Sequence, residues 1–180
     1  MAEALASKDF TLSRSDCPIV QIEGWDGMLA QFELSASQML GTALPVSVGD
    51  TARLADTLIV RVSPRRLWLI MEADAETPQP AIDPELGCSV HLGEGRVRFS
   101  LSGARVLEIL SGCIAVDWRS PGAAPGRAFQ TVFHHVPVLV LRTSETGCDM
   151  IVPRSFAHSL ADWVADSASK RSSPGIKARN

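Results

Sequence analysis

The 180 residues contain no tyrosine, no C-x-x-C pair and no apolar run approaching membrane-spanning length. A membrane helix takes about 20 consecutive apolar residues, and runs such as "VPVLVL" stop far short of that. Four separated cysteines, Cys17, Cys88, Cys113 and Cys148, remove the main support for zinc-ribbon and thioredoxin-type readings. A basic excess is lacking too. The formal net charge of −3 offers no broad cationic surface to nucleic acid or anionic lipid. The opening "MAEALASKDFTLSRSD" has no apolar signal-peptide core, so reduced thiols and a cytoplasmic location are expected. For the missing tyrosine, beside four tryptophans and six phenylalanines, we have no physical account.

What is present reads as one α+β domain over residues 20–169, between an N-terminal tail (1–19) and a mobile basic tail (170–180). The spacing of Leu29, Phe32, Ala36, Met39 and Leu40 predicts a helix, with Asp26 as N-cap and Gly41 past its end. Leu58, Val60 and Val62, then Trp68 and Ile70, flank Ser63-Pro64-Arg65-Arg66 as a hairpin. The proline-rich "ADAETPQPAIDPELG" divides the chain into sub-halves 20–77 and 85–169. In the second, Val97, Phe99 and Leu101 alternate with polar residues as a half-buried strand. A helix capped by Ser102 follows, then strands at "CIAVDW", "FQTVFHHV", "PVLVLRT" and "CDMIVP", then a helix from about Ser155 to Ala168. Each half is a helix-on-antiparallel-sheet unit, the second a ferredoxin-like split βαβ.

Candidate chemistry is sparse. His134 and His135 are adjacent, and neighbouring side chains of an extended strand point to opposite faces, so they do not chelate one metal. His91 and His158 stand in no H-x-x-x-H or H-x-H relation to them. No G-x-S-x-G elbow occurs, and Cys113 and Cys148 lie in apolar surroundings that raise a thiol's pKa. "GEGR" at Gly93–Arg96 leads into a strand rather than a helix, which favours a tight hairpin turn over a phosphate loop. Arginines are the most suggestive polar residues: Arg61, Arg65 and Arg66 around the first hairpin, Arg96 and Arg98 on one strand face. They suit carboxylates of another chain or a solvated face. The four tryptophans read as core or interface anchors. By its residues alone, the chain is not an enzyme.

Several passages together resemble the γ subunit of heterotetrameric sarcosine oxidases: "VQIEGWDG", "VRVSPRRLWLIME", "GRVRFSLSG…LEILSGCIAVDW", "PGRAFQTVFHHVPVLVLRT" and "CDMIVPRSFAHSLADWV". They run in family order from about Val20 to Ala168. The family's usual S-H-G-R stands here as "GEGR", and the helix after Ser102-Gly103 is slightly short. The resemblance implies the folate-binding aminomethyltransferase fold, that of the glycine cleavage T protein. It also implies a structural role beside α, β and δ chains, with contact mainly to α. Such complexes oxidatively demethylate sarcosine to glycine with oxygen, forming hydrogen peroxide and 5,10-methylenetetrahydrofolate. FAD, FMN, NAD and zinc would be held by partner subunits, tetrahydrofolate would be co-substrate, and this chain would carry no catalytic, cofactor or metal residue.

On that reading, "FHHVPVLVLRT" is sheet with one face on the core and the other open to a partner. His134, His135, Arg65, Arg66, Arg96 and Arg98 are then the interface candidates. A second reading is a free-standing folate-binding protein, with Asp117 beside Trp118 as the pairing to meet a pterin. A third, a small hydrolase using His134 or His135, has no supporting nucleophile.

Overall fold

The computed structural model describes residues 4–7, 9–75, 77 and 79–170. Two antiparallel sheets lie face to face and carry their helices on the outside. The first sheet contains β3 (Ile19–Gly24), β4 (Thr51–Leu54), β5 (Thr57–Ser63), β6 (Arg66–Met71) and β7 (Gly87–His91), in the order β4-β5-β6-β3-β7. The second contains β1 (Ala4–Ser7), β2 (Phe10–Ser15), β8 (Arg96–Ser102), β9 (Ala128–Phe133), β10 (Val136–Ser144) and β11 (Gly147–Pro153), in the order β1-β2-β8-β11-β10-β9. Helix α1 (Leu29–Leu40) covers the first sheet, while α2 (Val106–Ser111) and α3 (Ala157–Lys170) cover the second.

Strand alternation builds these layers directly. In β5 and β6, Ile59, Leu67, Leu69 and Met71 face α1, where Phe32 and Ala36 meet them. Their neighbours Val60, Val62 and Ile70 face the second sheet and meet Leu139, Leu141 and Ile151. On the far side, Val97, Phe99, Leu101, Val138, Val140, Met150 and Val152 turn to Ile109, Leu110, Leu160 and Val164. Burying each such side chain stabilises by roughly 1.5–3 kcal/mol. The continuous apolar runs of β10 and β11 follow from this: both faces of these strands are covered.

The α+β class with two antiparallel sheets agrees with the sequence, but several local expectations do not. Residues 1–19 are not simply a tail: Phe10 and Leu12 of β2 are buried beside β8. The proline-rich segment is not the boundary between sheets, because β7 follows it and still pairs with β3. "GEGR" is therefore no hairpin; Gly93–Gly95 is a 3-10 turn that carries the chain from one sheet to the other. The split βαβ is also replaced. β8 and β9 run antiparallel through the order β8-β11-β10-β9, so β9, β10 and β11 form a meander closed by β8. "CIAVDW" is turn and loop, its Cys113 and Ile114 plugging the core beneath α2.

Both expected helix caps move. Residue Met28 occupies the N-cap of α1 without a side-chain bond, and Asp26 pairs with Arg65 instead. Ser102 ends β8, and α2 starts beyond Arg105. Gly41 does close α1 in the left-handed conformation, φ 66°. At the C-terminus Lys170 belongs to α3, and the rest of the expected basic tail, 171–180, lies outside the described residues.

Candidate functional site

His134 and His135 are not in a strand. They form the two-residue turn of the β9–β10 hairpin, since Phe133 pairs with Val136. His134 takes φ 53°, the positive value that primed hairpin turns require and that His adopts more readily than most residues. Both side chains are exposed, but their rings lean on α3: centroids lie 4.9 Å (His134) and 5.7 Å (His135) from Trp163, edge to face. The His134 N–H also donates to Cys113 O at 3.4 Å. The pair thus fastens a hairpin tip to a helix. His158 is exposed and sits 3.7 Å from Asp162 one helical turn on. Among the described residues no group of three or more His, Cys, Asp or Glu could hold a metal ion.

The arginines divide into two kinds. Arg65 and Arg66 sit at the β5–β6 turn and pair with acids of the same chain. Arg65 binds Asp26 and lies 3.8 Å from Glu23, while Arg66 Nε donates to Glu23 at 2.7 Å. Both remain partly open to solvent. Arg96 places its guanidinium 5.6 Å from the centre of the Trp68 ring. Arg98 is different: it is buried between the sheets, donating to Glu72 at 2.9 Å and to Met71 O at 2.9 Å, with Asp149 4.0 Å from its Nε. It locks the two sheets and has no reach to a partner. Sequence reading missed Arg142, also buried, which donates to the carbonyls of Ala123, Ser144 and Glu145. Its signal was present: in Val138-x-Val140-x-Arg142 an arginine takes the next inward position of an apolar strand.

Burial governs the titratable groups nearby. It pushes the thiol of Cys17 up to about 11 and that of Cys148 to about 12, so both are neutral at ordinary pH. A thiol reagent near neutral pH is therefore expected to label half-buried Cys88, on edge strand β7, well before the other three. Labelling of Cys17 at the same rate in the folded chain, followed by peptide mass mapping, would contradict this.

Burial also raises the Asp149 carboxyl, against a hydrogen bond from Ser100 and the charge of Arg98. The folded state then holds that proton more tightly than the unfolded chain, so this group's contribution to stability falls as pH climbs above its ordinary 3.8. Thermal melts from about pH 4 to about pH 7 are expected to show Asp149→Asn gaining on the wild type as pH rises. A difference that stays flat or runs the other way would refute the assignment.

The exposed apolar residues point elsewhere. Of nine large hydrophobic residues exposed among those described, six fall in α1 and its flanking loops: Trp25, Met28, Leu34, Met39, Val46 and Val48. Leu34 is 62% exposed and Val46 84%. Arg61 binds both Pro45 O and Glu33, which holds the Val46 loop alongside α1. The other three, Val90, Val132 and Phe156, are scattered over the rest of the described chain.

The sarcosine oxidase, gamma subunit family matches residues 26–170. The chain belongs to that family. Its role is accordingly that of the γ subunit, and the family match takes in α1, its loops and every strand from β4 onward. Among solved structures, heterotetrameric sarcosine oxidase from Corynebacterium sp. U-96, in complex with pyrrole 2-carboxylate, matches with TM-score 0.80 and 23% identity. The match covers 96% of this chain and 91% of that one. Aminomethyltransferase T of the glycine cleavage system from Bartonella henselae matches with TM-score 0.57 and 17% identity, over 83% of this chain and 43% of that one. These likenesses establish a shared fold. A comparison with curated proteins finds no significant match.

Within this γ-family fold the two residues nominated for a pterin are engaged in separate contacts of their own. Asp117 is exposed and its Oδ1 accepts the Arg119 N–H at 3.0 Å, closing a turn. Trp118 packs edge-on to Phe129, centroids 5.8 Å apart, with the Arg142 guanidinium 5.8 Å from its ring. The free-standing folate-binding reading gains no support from these positions.

Proposed function

We propose that this chain is a non-catalytic, structural subunit that packs against the large α chain of a heterotetrameric sarcosine oxidase. The complex would demethylate sarcosine to glycine with oxygen, yielding hydrogen peroxide and, through tetrahydrofolate, a methylene-bearing folate. FAD, FMN, NAD and zinc would be carried by other chains. The observation that carries the reading is the apolar surface around α1, on a chain of the γ family. Trp25 and Leu34 are its anchors, and Arg65 and Arg66, beside Asp26 at the start of that surface, form a charged rim. His134 and His135, on the far layer against α3, and Arg96 form a secondary contact. Arg98 is internal. A cytoplasmic location is part of this proposal; among the described residues no helix is long and apolar enough to cross a membrane.

Leu34→Asp tests this. The side chain is exposed, so the variant is expected to melt within about 2 °C of the wild type. Placing a charge in a desolvated interface is expected to cost at least about 2 kcal/mol of association, some thirtyfold in Kd. Unchanged recovery of partner chains with Leu34→Asp would remove α1 from the interface.

A further inference from the structure

Strand β9 is an edge of the second sheet. Sheet edges are usually kept from pairing further by brevity, charge, proline or a bulge. The sequence of β9, "AFQTVF", has no charge and no proline, and its six residues pair with β10 without a register shift. The two-residue turn makes Phe133 and Val136 a hydrogen-bonded pair, so the main chain of Phe129, Thr131 and Phe133 turns inward to β10. That of Ala128, Gln130 and Val132 turns outward. Ala128 fixes the phase: its N–H donates to Gly49 O at 2.9 Å, across the edge. Beyond that contact the edge is open. Among the described residues, neither Gln130 nor Val132 makes a main-chain hydrogen bond on that side.

Apolar side chains accompany this edge. Ala128, Gln130 and Val132 lie opposite Leu141, Leu139 and Pro137, on the side of the sheet that faces the first sheet. Val132 is 51% exposed, and Pro137 is exposed beside it. Gln130 Nε2 donates to Val62 O at 2.6 Å, which holds β9 over the end of β5. Between these strands and the loop after α1 lies a cleft of about 320 Å³, with Val48, Val62, Ala128, Gln130 and Leu139 on its walls. Val48 is also one of the exposed apolar residues around α1, so that surface continues through the cleft to the β9 edge.

We infer that the edge of β9 receives an extended segment of the large partner chain, as an added strand along residues 130–132. The inference rests on the γ-subunit reading and specifies how that contact is made. Strand addition takes its affinity from main-chain hydrogen bonds and its selectivity from pockets for alternate side chains. Here the outward N–H and C=O groups of Gln130 and Val132 supply the bonds. The segment's residue opposite Gln130 shares its face and places an apolar side chain in the cleft beside Val48 and Val62. The next residue on that face lies against Val132 and Pro137. A second copy of this chain fits less well. Its own β9 carries the same Gly49 contact at Ala128, so only residues 130–132 of each copy could meet.

Residue-resolved hydrogen exchange on the free chain and on the purified complex tests this. In the free chain the amides of Gln130 and Val132 are expected to exchange at least about tenfold faster than those of Thr131 and Phe133, which pair with β10. In the complex they are expected to slow by about 100-fold. Val132→Pro removes an outward N–H and is expected to weaken assembly about tenfold, whereas Val132→Thr keeps it and stays within about twofold. The exchange measurement uses the wild-type chain, so it decides the matter even where Val132→Pro folds poorly. Gln130 and Val132 exchanging as fast in an intact complex as in the free chain overturns the strand addition and leaves the γ reading standing. Val132→Pro assembling as well as Val132→Thr overturns it too. Protection that grows with concentration of the free chain assigns the edge to a second copy, against the inference. If no complex with a large chain forms, the γ reading falls and the inference falls with it.

Discussion

Gly87→Ala is expected to destabilise the chain by about 3 kcal/mol, lowering Tm by about 6–12 °C, from one added methyl. Gly87 of β7 pairs with Gly24 of β3, and the ring of Phe32 from α1 lies over both. A Cβ on Gly87 would stand 2.2 Å from Glu23 O and 3.0 Å from the Phe32 ring. The first of these neighbours is backbone in the paired strand, so it cannot swing aside as a side chain could. Either β7 leaves β3 or Phe32 loses its seat in the core. Gly95→Ala is the matched control: an added Cβ there meets nothing within 4 Å, and a change within about 0.5 kcal/mol is expected. Denaturant or thermal melts of both variants decide it, and Gly87→Ala melting with the control would contradict the packing of α1 on this sheet.

Arg61→Ala is expected to cost a similar amount, about 3 kcal/mol, for a different reason. The Arg61 side chain is buried and donates through Nε to Pro45 O at 2.6 Å, through Nη1 to Pro64 O at 2.6 Å and through Nη2 to Glu33 at 2.7 Å. One side chain thus ties together the loop after α1, the hairpin turn and α1 itself. Glu33 is 38% exposed, so its ion pair supplies the smaller share: Glu33→Gln is expected to cost less than about 1 kcal/mol. Most of the loss comes from the two carbonyls left without their donor. Arg61→Lys is expected to recover less than half, because an ammonium cannot reproduce a planar fork aimed at three acceptors. A double-mutant cycle in which Glu33 accounts for the whole Arg61 effect would contradict this division.

The layered α+β architecture was legible because two-residue periodicity survives in β5, β6 and β8, and helical periodicity in α1 and α3. What was not legible was pairing. Nothing in "FTLSRS" tells that Phe10 and Leu12 travel to the second sheet, since a six-residue strand with three hydroxyl residues looks like solvated chain until β8 is beside it. β7 is equally discreet, with three of five residues exposed at a sheet edge. The His134–His135 turn hid because its flanks are apolar strands, and a two-residue connection without Gly or Asn carries no turn signature.

Site residues fared by similar logic. Arg65 and Arg66 were visible at a Pro-marked turn, and they do sit on the surface. Arg98 was judged from alternation to lie on an outer face, yet that face is covered by the first sheet. An exposed and an inter-sheet face give the same pattern when a buried arginine finds carboxylate and carbonyl partners, as Arg98 does in Glu72 and Met71. The apolar surface of α1 lay outside the sequence argument for the same reason in reverse. Met39 fits the helical stripe by spacing but remains partly exposed at 37%, and Leu34 stands on the opposite side.

The measurement that bears most directly on the account is purification of this chain, tagged at its native level, with identification of what accompanies it. Co-recovery of large flavin-bearing chains and a small cysteine-rich one, in a fraction that makes peroxide when given sarcosine, is the predicted result. A monodisperse chain that purifies alone, while sarcosine oxidation stays in other fractions, would contradict it.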